Sequence, residues 1–137
     1  GQFASAAYVW IDCESRKLLY SAAGHPPLLC WRDTKREMQR IESNGLLFGV
    51  EADSEYPVCS VPLQASDRFL LYTDGVTETE NVDGVAFGDR QLEQIVRNNR
   101  LHPACELSRQ LISELQTWRP AAVNQQDDIT LIVVDVL

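Results

Sequence analysis

The sequence is poor in positive charge and lacks the features that mark membrane segments. Its 137 residues carry 12 Lys and Arg against 20 Asp and Glu, which gives a net charge of −8. Such a surface repels phosphate backbones and anionic lipids, so nucleic-acid binding and direct membrane contact are poor hypotheses for this segment. No apolar run approaches the roughly 18 residues of a transmembrane helix, and no signal-peptide pattern opens the chain.

The motifs of several common catalytic and metal sites are also missing. The glycines form neither a GxGxxG motif nor a phosphate-binding loop, and no serine lies in a GxSxG turn. The four cysteines are scattered without a CxxC pair, which argues against structural zinc and favours reduced thiols in a cytoplasmic protein. Apolar residues make up 45% of the chain and charged residues 23%, so we expect one domain with a packed core.

The spacing of apolar residues predicts an α+β sandwich. Strand-like stretches lie at 3–12, 18–23, 28–31, 55–63, 68–73 and 129–137, and two amphipathic helices lie between the last two. The first helix spans 89–99 with Asp89 as its N-cap, and the second opens at Pro103. We expect 3–12 to be buried on both faces, 44–51 to be a loop around a hydrophobic plug, and 119–126 to be a loop. Antiparallel strands followed by a helix pair are typical of this fold class.

Acidic residues stand at the ends of two apolar strands that are far apart in sequence. Asp74 follows the stretch LLYT, and the pair Asp127 and Asp128 precedes the last strand. Turn residues or solvated caps would explain each position alone, although adjacent like charges repel unless a cation or water compensates. If these strands are antiparallel neighbours, the carboxylates meet at one edge of a sheet. Oxygen ligands of this kind suit Mg or Mn.

The two histidines have weaker claims to a functional role. His25 lies in a GHPP turn, where packing or a hydrogen bond to the loop backbone is the ordinary explanation. His102 precedes the proline that opens the second helix, as a surface residue or a cap would. The sequence around His25 supplies no neighbour that would orient it as a base.

Three stretches together resemble one family of enzymes. LLYSAAGHPPLL, DRFLLYTDGVTETENVDGVAFGDRQL and DDITLIVVDV occur in the order and spacing found in SpoIIE-type bacterial protein serine phosphatases. These are a branch of the metal-dependent type 2C phosphatases. The resemblance implies an αββα sandwich, two antiparallel sheets with helix pairs outside them. The set of motifs is specific because its members appear together and in order.

The resemblance also implies which residues form the site. Asp74 of the TDG motif and Asp127 of the DDIT motif look like metal ligands and so like catalytic residues, with two Mn or Mg ions in the intact protein. Asp128 and Gly75 would support these ligands without binding the ions. His25 lies where eukaryotic relatives carry a further acidic metal ligand, which makes it a candidate for substrate binding.

The chain departs from the family pattern in its first part. The family carries an upstream GDxxGHG-like motif whose Asp bridges both ions, and this sequence contains no such motif. YSAAGH replaces the usual YSNAGH, and GLLFGV replaces GxPLG. We therefore expect residues 1–137 to be the C-terminal part of a single phosphatase domain that is truncated at its N-terminus.

The resulting hypothesis is a metal-dependent protein serine/threonine phosphatase that is inactive as this isolated fragment. Two ions would activate water and hold the phosphoryl oxygens for in-line attack. By resemblance, the substrate is a phosphorylated signalling protein such as an anti-sigma-factor antagonist, and a sensor or receiver domain lies upstream. The alternatives are a non-catalytic pseudophosphatase that binds a partner protein and a hydrolase for small phosphates.

Overall fold

The chain folds into two stacked β-sheets with a pair of helices on one side. The computed structural model describes residues 2–42, 44–119 and 127–137. The strands are β1 (Ala6–Asp12), β2 (Lys17–Ala23), β3 (Leu28–Arg32), β4 (Glu37–Ile41), β5 (Asn44–Gly45), β6 (Cys59–Pro62), β7 (Arg68–Tyr72) and β8 (Leu131–Asp135). The helices are α1 (Asp74–Thr77), α2 (Gly88–Asn98) and α3 (Ala104–Trp118). The predicted α+β sandwich of antiparallel sheets with a C-terminal helix pair is confirmed.

The two sheets are organised around different central strands. In the first sheet β2 pairs antiparallel with both β1 and β6, and a two-residue parallel contact joins it to β5. The second sheet has the order β4-β3-β7-β8, and all of its pairs are antiparallel. Strand β7 therefore has a neighbour on each side, and its C-terminal end faces the beginnings of both neighbours.

Two apolar layers hold the sandwich together. The layer between the sheets is formed by Leu18, Tyr20, Ala22, Leu28, Cys30, Ile41, Val61, Leu63 and Phe69. The layer between the second sheet and the helices is formed by Leu29, Trp31, Leu70, Tyr72, Val76, Phe87, Leu92, Val96, Leu107, Leu111 and Leu115. Because β3 contributes alternate residues to both layers, every residue of that strand is buried. The second sheet is consequently covered by an apolar layer on each of its faces.

A buried arginine ties the helix corner to the second sheet. Arg68 on β7 is 5% exposed, and its Nε donates to Asp135 Oδ1 at 2.5 Å. Its terminal nitrogens donate to the backbone carbonyls of Asn99 and His102, in the connection between α2 and α3. The second oxygen of Asp135 accepts the backbone N–H of Ala104, the first residue of α3. Charge-assisted bonds of this kind are stronger than neutral ones, so both helices are anchored where β7 begins.

The helix pair follows the predicted spacing, but the predicted cap of the first helix is wrong. Residue Phe87 occupies the N-cap position of α2, and its side chain makes no capping bond. Asp89 lies within the first turn, where its carboxylate accepts bonds from Arg40 and Tyr72. The prediction failed because those two partners lie on distant strands, and their pull on the carboxylate cannot be read from local sequence.

Two expectations about the first sheet are also wrong. The strand predicted at 3–12 begins at Ala6, and it is not buried on both faces because Tyr8 and Trp10 are 62% and 55% exposed. The stretch 44–51 does not surround a plug: Leu46 is 50% exposed and Phe48 is 45% exposed. An apolar run shows that a segment is suited to burial, but it does not show that a covering layer is present.

One strand was not predicted, and one predicted loop lies almost wholly outside the described residues. Strand β4 was not predicted because only Ile41 in it is fully buried and its other positions are largely polar. The predicted loop at 119–126 lies, apart from Arg119, outside the described residues.

The four cysteines are free, and burial raises the pKa of the Cys30 thiol to about 12. Within the described ranges no helix has the length and apolar character needed to cross a bilayer.

Candidate metal centre

Three segments with polar residues emerge at one edge of the second sheet. Strand β7 ends at Tyr72, which pairs with Leu131 at the beginning of β8. Strand β3 is also antiparallel to β7, with Leu29 opposite Leu70, so it begins at the same edge. The segment 127–130 before β8, the loop 24–27 before β3 and Asp74 after β7 therefore share that edge, which we call the β7 edge.

Asp74 begins a short helix directly after β7. The residue is exposed, and its Oδ1 accepts the backbone N–H of Gly75 at 3.0 Å. Its carbonyl accepts the N–H of Glu78 at 2.8 Å and the hydroxyl of Thr77 at 3.2 Å. These bonds fix the backbone of α1, and the residue as a whole stays exposed.

Asp127 and Asp128 precede β8 and are both exposed. The Oδ1 atom of Asp127 accepts the backbone N–H of Asp128 at 2.8 Å. The carbonyl of Asp128 accepts the hydroxyl of Thr73 at 2.9 Å, which joins this segment to the end of β7. The structure thus brings together the two acidic segments that the sequence separates, as antiparallel neighbours.

Gly75 lies where the two acidic segments come closest. It is buried, and a Cβ atom at this position would lie 2.5 Å from the carbonyl oxygen of Asp128 and 3.3 Å from that of Asp127. Contacts under 3.0 Å are essentially never seen for real Cβ atoms, so only glycine allows this approach. The TDG glycine is therefore required for packing against the DDIT segment, beyond any role in turning the chain.

The donors at the β7 edge fit part of a divalent-cation site. Carboxylate oxygens are the ligands that hard cations such as Mg²⁺ and Mn²⁺ prefer. Among the described residues no group of three or more His, Cys, Asp and Glu side chains is arranged to hold a metal ion. Asp74 and Asp127 supply oxygen donors of the kind such an ion takes, but two carboxylates alone fall short of a complete ligand set.

His25 is held by hydrogen bonds that define its tautomer. Its Nδ1 lies 3.0 Å from the carbonyl oxygen of Pro26. A carbonyl oxygen only accepts, so Nδ1 carries the proton and Nε2 carries the lone pair in the neutral ring. Asn44 fixes the loop from the other side: its Oδ1 accepts the N–H of His25, and its Nδ2 donates to the carbonyl of His25 at 3.0 Å. Sequence analysis missed Asn44, which no local signal identifies.

A buried tyrosine links the β7 edge to helix α2. Burial, together with the nearby charge of Asp89, raises the pKa of Tyr72 far above its usual range. Tyr72 is therefore protonated at neutral pH, and its hydroxyl donates to Asp89 Oδ1 at 3.3 Å. Arg40 joins the same carboxylate to Glu93 on α2. This network orients α2 against the last residue of β7, one residue before Thr73.

The whole chain matches a known protein family. The family model described as Stage II sporulation protein E (SpoIIE) matches residues 1–137, and the chain belongs to that family. It is 28% identical over 134 residues to the phosphoserine phosphatase RsbP of Bacillus subtilis (strain 168), which covers 98% of this chain and 31% of RsbP. The chain thus spans about a third of the length of this curated relative.

Two solved structures confirm the fold. The SiaA-PP2C domain of Pseudomonas aeruginosa superimposes with a TM-score of 0.83 at 26% identity, over 96% of this chain and 51% of that one. The phosphatase domain of the cell fate determinant SpoIIE from Bacillus subtilis (Mn presoaked) gives a TM-score of 0.75 at 18% identity, over 96% of this chain and 56% of that one. The chain spans about half of each solved domain and shares its architecture.

The close approach at Gly75 gives a first testable prediction. In Gly75→Ala the new methyl group must push Asp127 and Asp128 away from α1, which should lower the free energy of unfolding by about 1–3 kcal/mol. Chemical denaturation measures the loss, and amide shifts at 127–130 report the displacement.

Gly84→Ala is the control for this substitution. Gly84 also resists substitution, because its φ is +72°, but nothing lies within 4 Å of a Cβ atom there. Its variant should lose about 1–2 kcal/mol of stability while the amide shifts at 127–130 stay unchanged. Unchanged shifts in Gly75→Ala would contradict the proposed contact.

Proposed function

We propose that the protein to which this chain belongs is a metal-dependent protein serine/threonine phosphatase. The observation that carries the proposal is the β7 edge, where antiparallel strands bring the segments of Asp74 and Asp127 into contact at Gly75. Membership of the SpoIIE family supports it, and so does the similarity of this chain to RsbP, a phosphoserine phosphatase.

Asp74 and Asp127 would hold the metal ions, and Asp128 would support them. The ions would be Mn or Mg, with two in the intact site. A manganese-soaked structure of a related phosphatase domain supports manganese as one of these metals. When bound, such ions act as Lewis acids toward phosphoryl oxygens and lower the pKa of water. The solved domains of the relatives are about twice as long as this chain. The remaining ligands would come from the part of such a domain that this chain does not cover.

His25 would bind the phosphoryl group through Nε2. The Pro26 carbonyl engages Nδ1, so Nε2 is the nitrogen left to face a ligand, and in an imidazolium ring both nitrogens are hydrogen-bond donors. The loop held by Asn44 begins β3 at the same edge as Asp74. His25 is thereby distinguished from His102, whose Nδ1 lies 3.0 Å from Asn99 at the corner between α2 and α3.

The substrate would be a phosphorylated protein in a signalling pathway, such as an anti-sigma-factor antagonist. The dianionic phosphate of such a substrate would be drawn to bound cations, although the net charge of the chain is −8. A sensor or receiver domain upstream would control when the substrate is dephosphorylated. A partner-binding pseudophosphatase is the alternative outcome of the first experiment below.

Asp74→Asn in the whole protein tests the metal assignment. It should lower phosphoserine hydrolysis by more than the 10–100-fold that is typical when a group outside the ligand set is lost. The free energy of unfolding without metal should change by less than about 0.5 kcal/mol, because Asp74 is exposed. Assays over a manganese titration, with denaturation of the metal-free protein, measure both.

Asp83→Asn is the matched control, since Asp83 is an exposed acidic residue of a turn. It should behave as the unmodified protein does. Full turnover by Asp74→Asn with an unchanged manganese dependence would mean that Asp74 is only a turn residue. No phosphatase activity in the unmodified protein would favour the pseudophosphatase.

A pair of substitutions at His25 tests the phosphoryl contact. His25→Asn keeps an amide near Nδ1 and removes Nε2, whereas His25→Gln keeps an amide near Nε2. The first should raise KM for a phosphopeptide about tenfold, the size of a lost charge-assisted hydrogen bond, and the second should raise it less. The manganese dependence should not change in either. An equal rise in His102→Asn, or none in His25→Asn, would contradict the assignment.

The 137-residue chain alone should be folded but catalytically silent. Two apolar layers give it a core, but a cation held by one or two carboxylates without substrate phosphates binds weakly. The measurement is hydrolysis of a phosphopeptide and of an aryl phosphate at millimolar Mn²⁺, with circular dichroism to verify folding. Turnover comparable to that of the whole protein would show that the site residues have been misassigned.

A further inference from the structure

Thr73 makes an unusual set of hydrogen bonds between β7 and α1. Its backbone N–H donates to the carbonyl of Thr130 at 3.1 Å, which continues the β7–β8 ladder by one residue. The return bond of the ladder does not go to the carbonyl of Thr73: the N–H of Thr130 donates to the hydroxyl oxygen of Thr73 at 2.9 Å. The same hydroxyl donates to the carbonyl of Asp128 at 2.9 Å.

The hydroxyl oxygen of Thr73 therefore replaces a backbone carbonyl as the acceptor for the N–H of Thr130. In an antiparallel ladder, hydrogen-bonded pairs of facing residues exchange two N–H···O bonds, and they alternate with pairs that exchange none. Here the carbonyl of Thr73 accepts the N–H of Val76 at 3.0 Å, a bond that begins the turn into α1. Because the side chain takes over the ladder position, the backbone can leave the sheet immediately before Asp74 without leaving the N–H of Thr130 unpaired.

The hydroxyl of Thr73 could instead have capped the N-terminus of α1, so its actual partners are informative. Thr73 is the N-cap residue of α1, with an extended φ of −83° and ψ of 157°, and threonine at that position ordinarily caps its own helix. In this protein it makes no capping bond. The hydroxyl is used across the strands to hold the segment that carries Asp127 and Asp128.

We propose that Thr73 is a positioning residue that sets the separation of the two acidic segments and so the metal affinity of the β7 edge. Its hydroxyl binds the 127–130 segment at two points, one on each side of Ile129. The inference rests on the proposed metal site at Asp74 and Asp127. A group that orients ligands without touching the metal is typically worth 10–100-fold in metal affinity or activity.

The test compares Thr73→Val, which keeps the shape and removes the hydroxyl, with Thr73→Ser, which keeps the hydroxyl. In the 137-residue chain, Thr73→Val should speed amide hydrogen exchange at Thr130 about tenfold, as expected for a lost hydrogen bond. Manganese-induced broadening of amide resonances near Asp74 and Asp127 should need about tenfold more Mn²⁺. Thr73→Ser should match the unmodified chain in both.

Thr117→Val is the matched control. Thr117 is an exposed threonine on α3 whose hydroxyl donates to the carbonyl of Ser113 at 2.9 Å. The loss of this hydroxyl should change neither amide exchange at Thr130 nor the response to manganese.

In the whole protein, Thr73→Val should raise the manganese concentration for half-activation about tenfold, and saturating manganese should restore most of kcat.

The outcomes separate the positioning role from the proposed function. Thr73→Val with an unchanged manganese response overturns the positioning role, even if exchange at Thr130 speeds up. An unmodified chain with no manganese response, or an Asp74→Asn chain with an unaltered one, overturns the metal site itself. Should Thr73→Val fail to fold, exchange in the unmodified chain decides: a Thr130 amide that exchanges at the unfolded rate overturns the proposal.

Discussion

The antiparallel pairing of β7 with β8 is the constraint on which the candidate site depends. Thr73 and Asp128 are 55 positions apart in sequence, and they meet only because Tyr72 pairs with Leu131. A shift of the register by one residue would turn the side chains of β8 to the opposite face and move its acidic segment along β7. The apolar layers on both sides of the second sheet penalise such a shift. The position of the carboxylates is therefore determined by core packing.

Two kinds of bond reinforce that pairing at opposite ends of β7. At its beginning, the buried Arg68 joins the half-buried Asp135 and the corner between the helices. At its end, the hydroxyl of Thr73 replaces a ladder carbonyl, and Gly75 lets the backbones touch. The ion pair of Arg68 holds the helices, whereas the uncharged bonds of Thr73 hold the candidate site. The two sets of bonds lie at opposite ends of β7.

The sequence predicted that the segments of Asp74 and Asp127 meet, and the structure confirms this pairing. The prediction was possible because each residue adjoins an apolar strand; that the two residues bind metal stays a prediction. The role of Asn44 and the bonds of Thr73 could not be predicted, because each depends on a partner brought close only by tertiary pairing. The exposure of Trp10 was missed for a related reason: hydrophobic pattern reports a preference for burial, and burial also requires a neighbouring layer.

The connection between β7 and β8 has a consequence for how this architecture can vary. Helices α1, α2 and α3 all lie within it, and its two ends are held together by the ladder, where Tyr72 pairs with Leu131. The entropic cost of closing a flexible loop rises by only about 0.6 kcal/mol for each doubling of its length. Insertions or deletions in the surface turns between α1 and β8 would therefore change little at the β7 edge. The turns on the helical side can therefore differ in length while the β7–β8 ladder keeps the spacing of the acidic segments constant.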